Sequence, residues 1–413
     1  MSAAPSTDPF SEMDAAYGAG VVRDPYPTFA KLCREAAVHR GSPHEMFQLD
    51  IAMSPEARKS APPIFTVLGH DAVSEVLRDS ARFSSSAYEM TMGIVMGHTI
   101  LEMDAPEHGR YRGLLQKAFT RKAIDRWGED LIGPVVAGHL DDFAGRGHAE
   151  LRRELTFPFP VTVIAGMLGL PDEDLPQFHR WAVELISIGF DFQRSINASK
   201  ALGEYFGRIV TERRADSRDD LISVLTHAEL DGDTLDDDAI IAFLRLLLPA
   251  GAETTYRSLS NLLFGLLTHT DQLDAVRADR SLIPQAVEEG LRWESPLTGI
   301  IRKCVRDTEV AGVKIPAGAM LSVGVAAANH DETRYKHPEK FDIFRKQRQS
   351  MAFGFGAHRC LGMHLARVET EIALGELLDR FPDLRLDPAA EDLHITGLIF
   401  RTPTSLPVLF TPR

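Results

Sequence analysis

Cysteine is scarce in this chain: three residues in 413, Cys33, Cys304 and Cys360, far apart and with no Cys-x-x-Cys pair. That spacing argues against a structural zinc site. An odd, sparse count also fits a reducing compartment better than a disulfide framework. No stretch is long and charge-free enough to read as a membrane span. Residues 1–20 lack both an apolar run and a basic leader, and are rich in Ala, Ser, Pro, Gly and Asp. They read as a flexible arm, neither signal peptide nor membrane anchor. Positive charge is in deficit, 45 Lys and Arg against 59 Asp and Glu, and the net −14 is a poor match for nucleic-acid phosphates. Low-complexity blocks and repeats of roughly 20–50 residues are missing too. What is left is the composition of an acidic cytoplasmic protein of bacterial style, whose 44% hydrophobic content can fill a large core.

Helical periodicity dominates, over 129–143, 175–188, 201–214 and 240–267. Strand-like patches are short: 64–68, 308–315, 320–325 and the tail at 395–410. The run Gly312-Val313-Lys314-Ile315-Pro316-Ala317-Gly318 reads as two short strands meeting at a turn. The expectation is a mainly α body with small β-sheets at its edge.

One stretch stands apart: Phe353-Gly354-Phe355-Gly356-Ala357-His358-Arg359-Cys360-Leu361-Gly362. Gly354 and Gly356 permit positive φ and close backbone approach to something flat or bulky. From Leu361 onward Leu365, Val368, Ile372 and Leu378 recur at helical spacing, so Cys360 is expected at a helix N-terminus. Free amides and the helix dipole there favour thiolate over thiol. Such a thiolate suits a metal that needs a strong electron donor. The stretch resembles the haem-binding loop of the cytochrome P450 family, Phe-Gly-x-Gly-x-His-x-Cys-x-Gly, and matches every fixed position. The resemblance runs from about Asp24 to the end. It implies a single-domain haem-thiolate fold over 21–413, with haem b held by Cys360 as the iron ligand and Phe353, Gly354 and Gly362 shaping the loop.

A second stretch lies inside the longest periodic segment: Pro249-Ala250-Gly251-Ala252-Glu253-Thr254-Thr255. Proline and glycine in mid-helix cost roughly 3 and 1 kcal/mol against alanine, which points to a deliberate kink. A threonine can return its hydroxyl to the carbonyl four residues back, here Ala250. The family's oxygen-binding helix carries Ala/Gly-Gly-x-Asp/Glu-Thr. Ala250 and Gly251 would then make room for dioxygen, the co-substrate, while Glu253 and Thr254 deliver protons. Pro249 is less typical of the family.

Glu289 and Arg292 share a helical face, a spacing that most often marks a solvated ion pair. In the family, Glu-x-x-Arg is a buried pair joined by an arginine from Pro-x-x-Phe-Asp-x-x-Arg. Here that segment is Pro338-Glu339-Lys340-Phe341-Asp342-Ile343-Phe344-Arg345, so Arg345 is the expected third member. Pro106 opens a helix on which His108 and Arg112 share one face. The resemblance assigns these two, with Arg302 and His358, to the haem propionates, a sensible donor set for two carboxylates.

Two loops correspond to the family's substrate walls. One holds Met90, Met92, Ile94 and Val95, flexible and apolar; the other holds Leu398 and Ile399, with Leu297, Thr298 and Leu247 adding to the lining. The resemblance implies oxygen insertion into a C–H bond of a lipophilic small molecule. No flavin or iron–sulfur motif is fused to the chain, so electrons would come from an acidic ferredoxin and an NAD(P)H-dependent reductase. Basic residues Arg110, Lys117, Arg121, Lys122, Arg126, Lys346, Arg348, Arg359 and Arg367 would steer that ferredoxin to the cysteine side. The rivals are a peroxide-driven hydroxylase, against which the intact Glu253-Thr254 pair counts, and a non-catalytic haem binder or sensor, which needs no proton relay.

Overall fold

The computed structural model describes residues 22–49, 61–186, 191–346 and 348–413; the expected arm at 1–20 lies outside them. The chain's helical body is organised around one long helix in three sections. Asp236 caps it by accepting from the Ala239 N–H at 2.8 Å. Regular α-helix runs over Asp237–Leu247, a π-helical section over Leu248–Glu253, and α-helix again over Thr254–Thr268. The change of pitch falls on Pro249 and Gly251, where the sequence placed the kink. Nearly every side chain between Thr255 and Leu267 is buried, the signature of a helix covered on all sides.

Helices Pro158–Met167, Phe192–Ala215, Ile283–Trp293 and Met363–Arg380 pack around that axis, and one apolar cluster joins them from Val95 to Phe410. The helix read at 201–214 is longer than its apolar pattern. It starts at Phe192, where Asp191 accepts from the Arg194 N–H, and its first turns carry Ser195, Asn197 and Ser199 in place of a clear apolar stripe. The helix read at 175–188 is Leu175–Ile186, and 187–188 fall outside the described residues.

A five-stranded sheet flanks this body in the order Val38–Arg40, Ile64–Val67, Met320–Val323, Ile300–Cys304, Phe83–Ser84. Met320 pairs with Ile64 in parallel and with Lys303 in antiparallel register. The strands expected on either side of Pro316–Gly318 do exist but belong to different sheets. Val313–Ile315 folds back on Thr308–Val310 through Ala311 and Gly312, both at positive φ, while Met320–Val323 enters the large sheet. The tail divides in the same way. Ile395–Thr396 pairs with Thr402–Pro403, and Pro407–Leu409 joins strands Arg385–Leu386 and His148–Glu150.

A buried polar knot ties the start of the described chain to this tail. Arg401 donates to Glu294 at 2.5 Å, to the Gly397 carbonyl at 2.6 Å and to the Arg23 carbonyl at 2.8 Å. The Tyr26 hydroxyl donates to Glu294 at 2.6 Å, and its ring stacks on His330 at 3.6 Å. Removing one partner of such a pair strands the other charge, at a cost of about 3–5 kcal/mol. Arg401→Met is therefore expected to lower unfolding free energy by about that amount in urea titrations, while Arg23→Met, at an exposed ion pair with Asp392, leaves it nearly unchanged.

Candidate active site

The cysteine loop is built by local backbone chemistry. Gly354 and Gly356 adopt φ of +67° and +76°. The Gly354 N–H donates to the Met351 carbonyl at 2.8 Å and the Cys360 N–H to the Phe353 carbonyl at 2.9 Å, closing the loop on itself. The close approach at Gly356 is to protein: a Cβ there would lie 2.2 Å from the Leu77 carbonyl oxygen, at the end of helix His70–Arg78. The expected contact of this glycine with a bulky ligand gives way to helix packing.

Cys360 precedes its helix, Met363–Arg380, by three residues. The Gly362 N–H donates to its sulfur, and Arg112, Arg367 and Arg359 add positive potential, yet burial outweighs them all and pushes the thiol above its ordinary pKa. The loop amide and the neighbouring arginines lower the cost of the anion, in the sense expected from the sequence, and a cation bound at the sulfur would lower it further. Cys360 still has open surface, whereas Cys304 is buried and its thiol faces the Arg306 carbonyl. Burial raises Cys33 to about 12. Cys360 is the one cysteine both presented and surrounded by positive charge.

Four residues from three remote segments meet beside this loop. The rings of His108 and His358 lie 3.9 Å apart. Arg112 donates to the Arg359 carbonyl at 2.6 Å. His358 is lowered to about 3, chiefly by burial and then by His108, Arg302 and Arg112. His108 is lowered by burial and by Arg112 and Arg302, with Asp104 opposing. Nε2 of each histidine is buried without a hydrogen-bond partner. No carboxylate among the described residues forms an ion pair with Arg112 or Arg302. Unpaired guanidiniums beside orphaned imidazole nitrogens fit a ligand that brings its own carboxylates. That is the donor chemistry a haem propionate edge requires.

In the broken helix, the Thr254 hydroxyl donates to the Ala250 carbonyl at 2.8 Å. Ala250 is exposed although Leu244 to Pro249 before it and Ala252 after it are mostly buried, so the break is left uncovered at this residue. Gly251 serves packing: a Cβ would come 3.1 Å from Ile164. Glu253 is buried and accepts from Arg257 at 3.1 Å. The rings of Tyr256 and Phe400 flank that guanidinium at 5.0 and 5.2 Å. Arg257, one turn after Glu253, was absent from the sequence-based set although the i, i+4 spacing was there to read.

Glu289 and Arg292 form a buried two-point pair at 2.7 and 2.8 Å, and Arg345 approaches Glu289 at 3.4 Å. Asn329, which no motif marked, carries this rigidity to the cysteine loop. Its carbonyl accepts from Arg292 at 3.2 Å, its side chain accepts from the Met351 N–H at 2.7 Å, and Met351 in turn holds Gly354.

The expected substrate wall is less uniform. Met90 and Ile94 are 78% and 51% exposed, while Val95 and Leu247 sit in the main core. Met92, Leu297 and Ile399 are half-buried. Leu398 is packed with Tyr26 and Phe29 in a satellite core, so it supports the turn from behind. Thr298 fixes that turn, donating its hydroxyl to the Leu398 carbonyl at 2.6 Å and its N–H to the Ile399 carbonyl at 2.8 Å.

One buried acid has no counterpart in the motifs. Glu369, on the helix after Cys360, hydrogen-bonds Thr255 and is raised by burial to about 8. The unfolded chain ionises this carboxyl near its ordinary 4.5, whereas the fold keeps it neutral. Stability from this group therefore falls as pH rises from about 4.5 to about 8 and is level above that. Glu369→Gln is expected to gain stability over the parent as pH rises through this window, with the difference constant beyond it. Urea unfolding measured at about pH 5 and about pH 8.5 reads the effect.

Comparisons with known proteins agree with this geometry. A sequence profile described as "Cytochrome P450" matches residues 185–405. The cytochrome P450 monooxygenase PikC of Streptomyces venezuelae is 34% identical over 387 residues, covering 92% of this chain and 89% of that protein. A steroid C26-monooxygenase of Mycobacterium tuberculosis is 37% identical over 322 residues, 76% of this chain and 86% of that one. The solved structure of cytochrome P450 CYP109Q5 from Chondromyces apiculatus superposes with a TM-score of 0.85 at 32% identity, covering 96% of this chain and 98% of that one.

Proposed function

This chain belongs to the cytochrome P450 family, whose members here are monooxygenases that hold haem through a cysteine thiolate, and from that premise we propose that it hydroxylates a lipophilic small molecule with electrons from a separate ferredoxin. The observation that carries the reading is Cys360: the most exposed of the three cysteines, offered by a positive-φ loop beside four donors that lack a protein carboxylate. Haem supplies the activation of dioxygen, with the thiolate's electron donation favouring cleavage of the O–O bond. His108, Arg112, Arg302 and His358 would hold its carboxylates. Glu289, Arg292 and Arg345, acting through Asn329, keep the loop in place.

Ala250 leaves space at the break, and Thr254 presents a hydroxyl there while bonded to the Ala250 carbonyl. Glu253, in a buried pair with Arg257, would pass protons toward Thr254 through water. One oxygen atom enters a C–H bond and the other leaves as water. The apolar character of Met92, Leu297 and Ile399 suits a lipophilic substrate, and a relative named for steroid oxidation makes that class the first to try. No helix among the described residues is long and apolar enough to cross a membrane.

On the cysteine side, several of the basic residues counted from sequence are matched by acids. Arg110 pairs with Asp233, Arg121 with Asp125, Arg126 with Asp219 and Arg367 with Glu288, while Lys117 bonds the Glu229 carbonyl. Lys122, Lys346, Arg348 and Arg359 make no ion pair among the described residues and are the charges left to steer an acidic ferredoxin.

Two experiments test the reading. Cys360→Ala is expected to abolish the thiolate absorption of the reduced carbon-monoxide complex, with Cys33→Ala and Cys304→Ala retaining it. Retention in Cys360→Ala would remove the assignment. Thr254→Ala is expected to bind substrate as before yet divert most reducing equivalents to hydrogen peroxide in turnover with NADH, ferredoxin and reductase, a loss of roughly tenfold or more in coupling. Turnover with hydrogen peroxide alone, indifferent to Thr254, would favour the peroxide-driven reaction instead.

A further inference from the structure

Tyr88 ends a short 3-10 turn, Ser85–Tyr88, next to the edge strand Phe83–Ser84. Its phenol reaches across to strand Ile300–Cys304, where its oxygen accepts the Ile301 N–H at 3.2 Å. The same oxygen is hydrogen-bonded by the guanidinium of Arg302, a group that can only donate. Two acceptor positions of the phenol are therefore spent, and its own O–H proton is not. No acceptor for that proton occurs among the described residues.

Arg302 is in the same condition. It is 3% exposed, and besides the phenol it donates to the Ile301 carbonyl at 2.8 Å. Asp104, the acid whose charge it feels, is occupied by the Ser84 hydroxyl and the Ser85 N–H. A buried cation without a counter-ion and a phenolic proton without an acceptor thus stand side by side. Each is costly alone, and one carboxylate placed between them satisfies both. Tyr88 is half-buried, and a tyrosine hydroxyl drawn away from water ordinarily finds a partner.

We propose that Tyr88 is a carboxylate-binding residue, donating its phenolic hydrogen bond to the haem propionate that Arg302 neutralises. The proposal rests on the haem reading of the preceding subsection. Tyr88 holds Arg302 in place by accepting from it and anchors the ligand by donating to it. Burial keeps the phenol protonated well past neutrality, so the donor persists over the working pH range.

The test uses the haem-loaded protein and follows haem transfer to excess apomyoglobin. Tyr88→Phe is expected to accelerate transfer roughly tenfold, the loss of one hydrogen bond to a charged group, with the thiolate absorption of the reduced carbon-monoxide complex intact. Phenylalanine also removes the acceptor for Ile301 and Arg302, so a second substitution separates the roles. Fluorine on the ring makes the phenol a stronger donor and a weaker acceptor. With 3-fluorotyrosine at position 88, transfer slower than in the parent supports donation to the propionate. Faster transfer would mean that the phenol only braces the strand, and would overturn the proposal. Unchanged transfer in Tyr88→Phe, with the thiolate absorption present, overturns it too and leaves the haem reading standing. A parent protein without that absorption would instead fail the haem reading itself.

Discussion

Presentation of the Cys360 sulfur, exposed at the end of a closed loop, is the constraint around which the rest of the molecule is arranged. A free thiol in that position resists ionisation, because removing an anion from water costs more than one amide and three nearby arginines return. A cation at the sulfur reverses the balance. The surrounding architecture prepares for that arrangement. The positive-φ glycines close the loop, Asn329 links it to the Glu289–Arg292 pair, and the loop packs against the end of helix His70–Arg78 through Gly356. A strong donor is thereby kept in a fixed position.

The broken helix shows how a local defect is accommodated. The π-helical section from Leu248 to Glu253 interrupts the regular ladder, and the Thr254 hydroxyl occupies the Ala250 carbonyl. A polar group is thus accommodated in a helix that is otherwise apolar and buried. Glu253, three residues after Ala250, forms a buried pair with Arg257. In the proposed relay, moving a proton from Glu253 toward the break would involve loosening that pair. Buried groups elsewhere obey the same electrostatics with different outcomes: Glu369 has no cation and stays protonated at neutral pH.

Several features were legible from residue order because they depend on neighbours along the chain. The helix break follows from Pro249 and Gly251 and the loop conformation from Gly354 and Gly356, while the spacing of Glu289 and Arg292 put them on one helical face and only the family's motif pointed to their burial. Other features were hidden because they depend on what faces a residue across space. Gly356 gives no sign of Leu77, and Leu398 reads as pocket lining until Tyr26 and Phe29 are seen behind it. The two strands beside Pro316–Gly318 have strand-like composition, yet only their partners reveal that they belong to separate sheets. Asn329 and Tyr88 carry no motif, and their roles come from bonds to residues 22 and 213 positions away.

Sequence alone determined which cysteine could serve, because glycine torsions and helical periodicity are encoded within a few residues of Cys360. The helix break is written into its own composition at Pro249 and Gly251, while the candidate proton carriers Glu253 and Thr254 came from the match to the family's motif. Tertiary structure decided the ionisation of the groups that matter. Burial and through-space charge push the Cys360 thiol up, drive His358 to about 3 and raise Glu369 to about 8. Each of those shifts sums over residues brought together from distant segments, and the free energy of a charge depends on that whole surrounding.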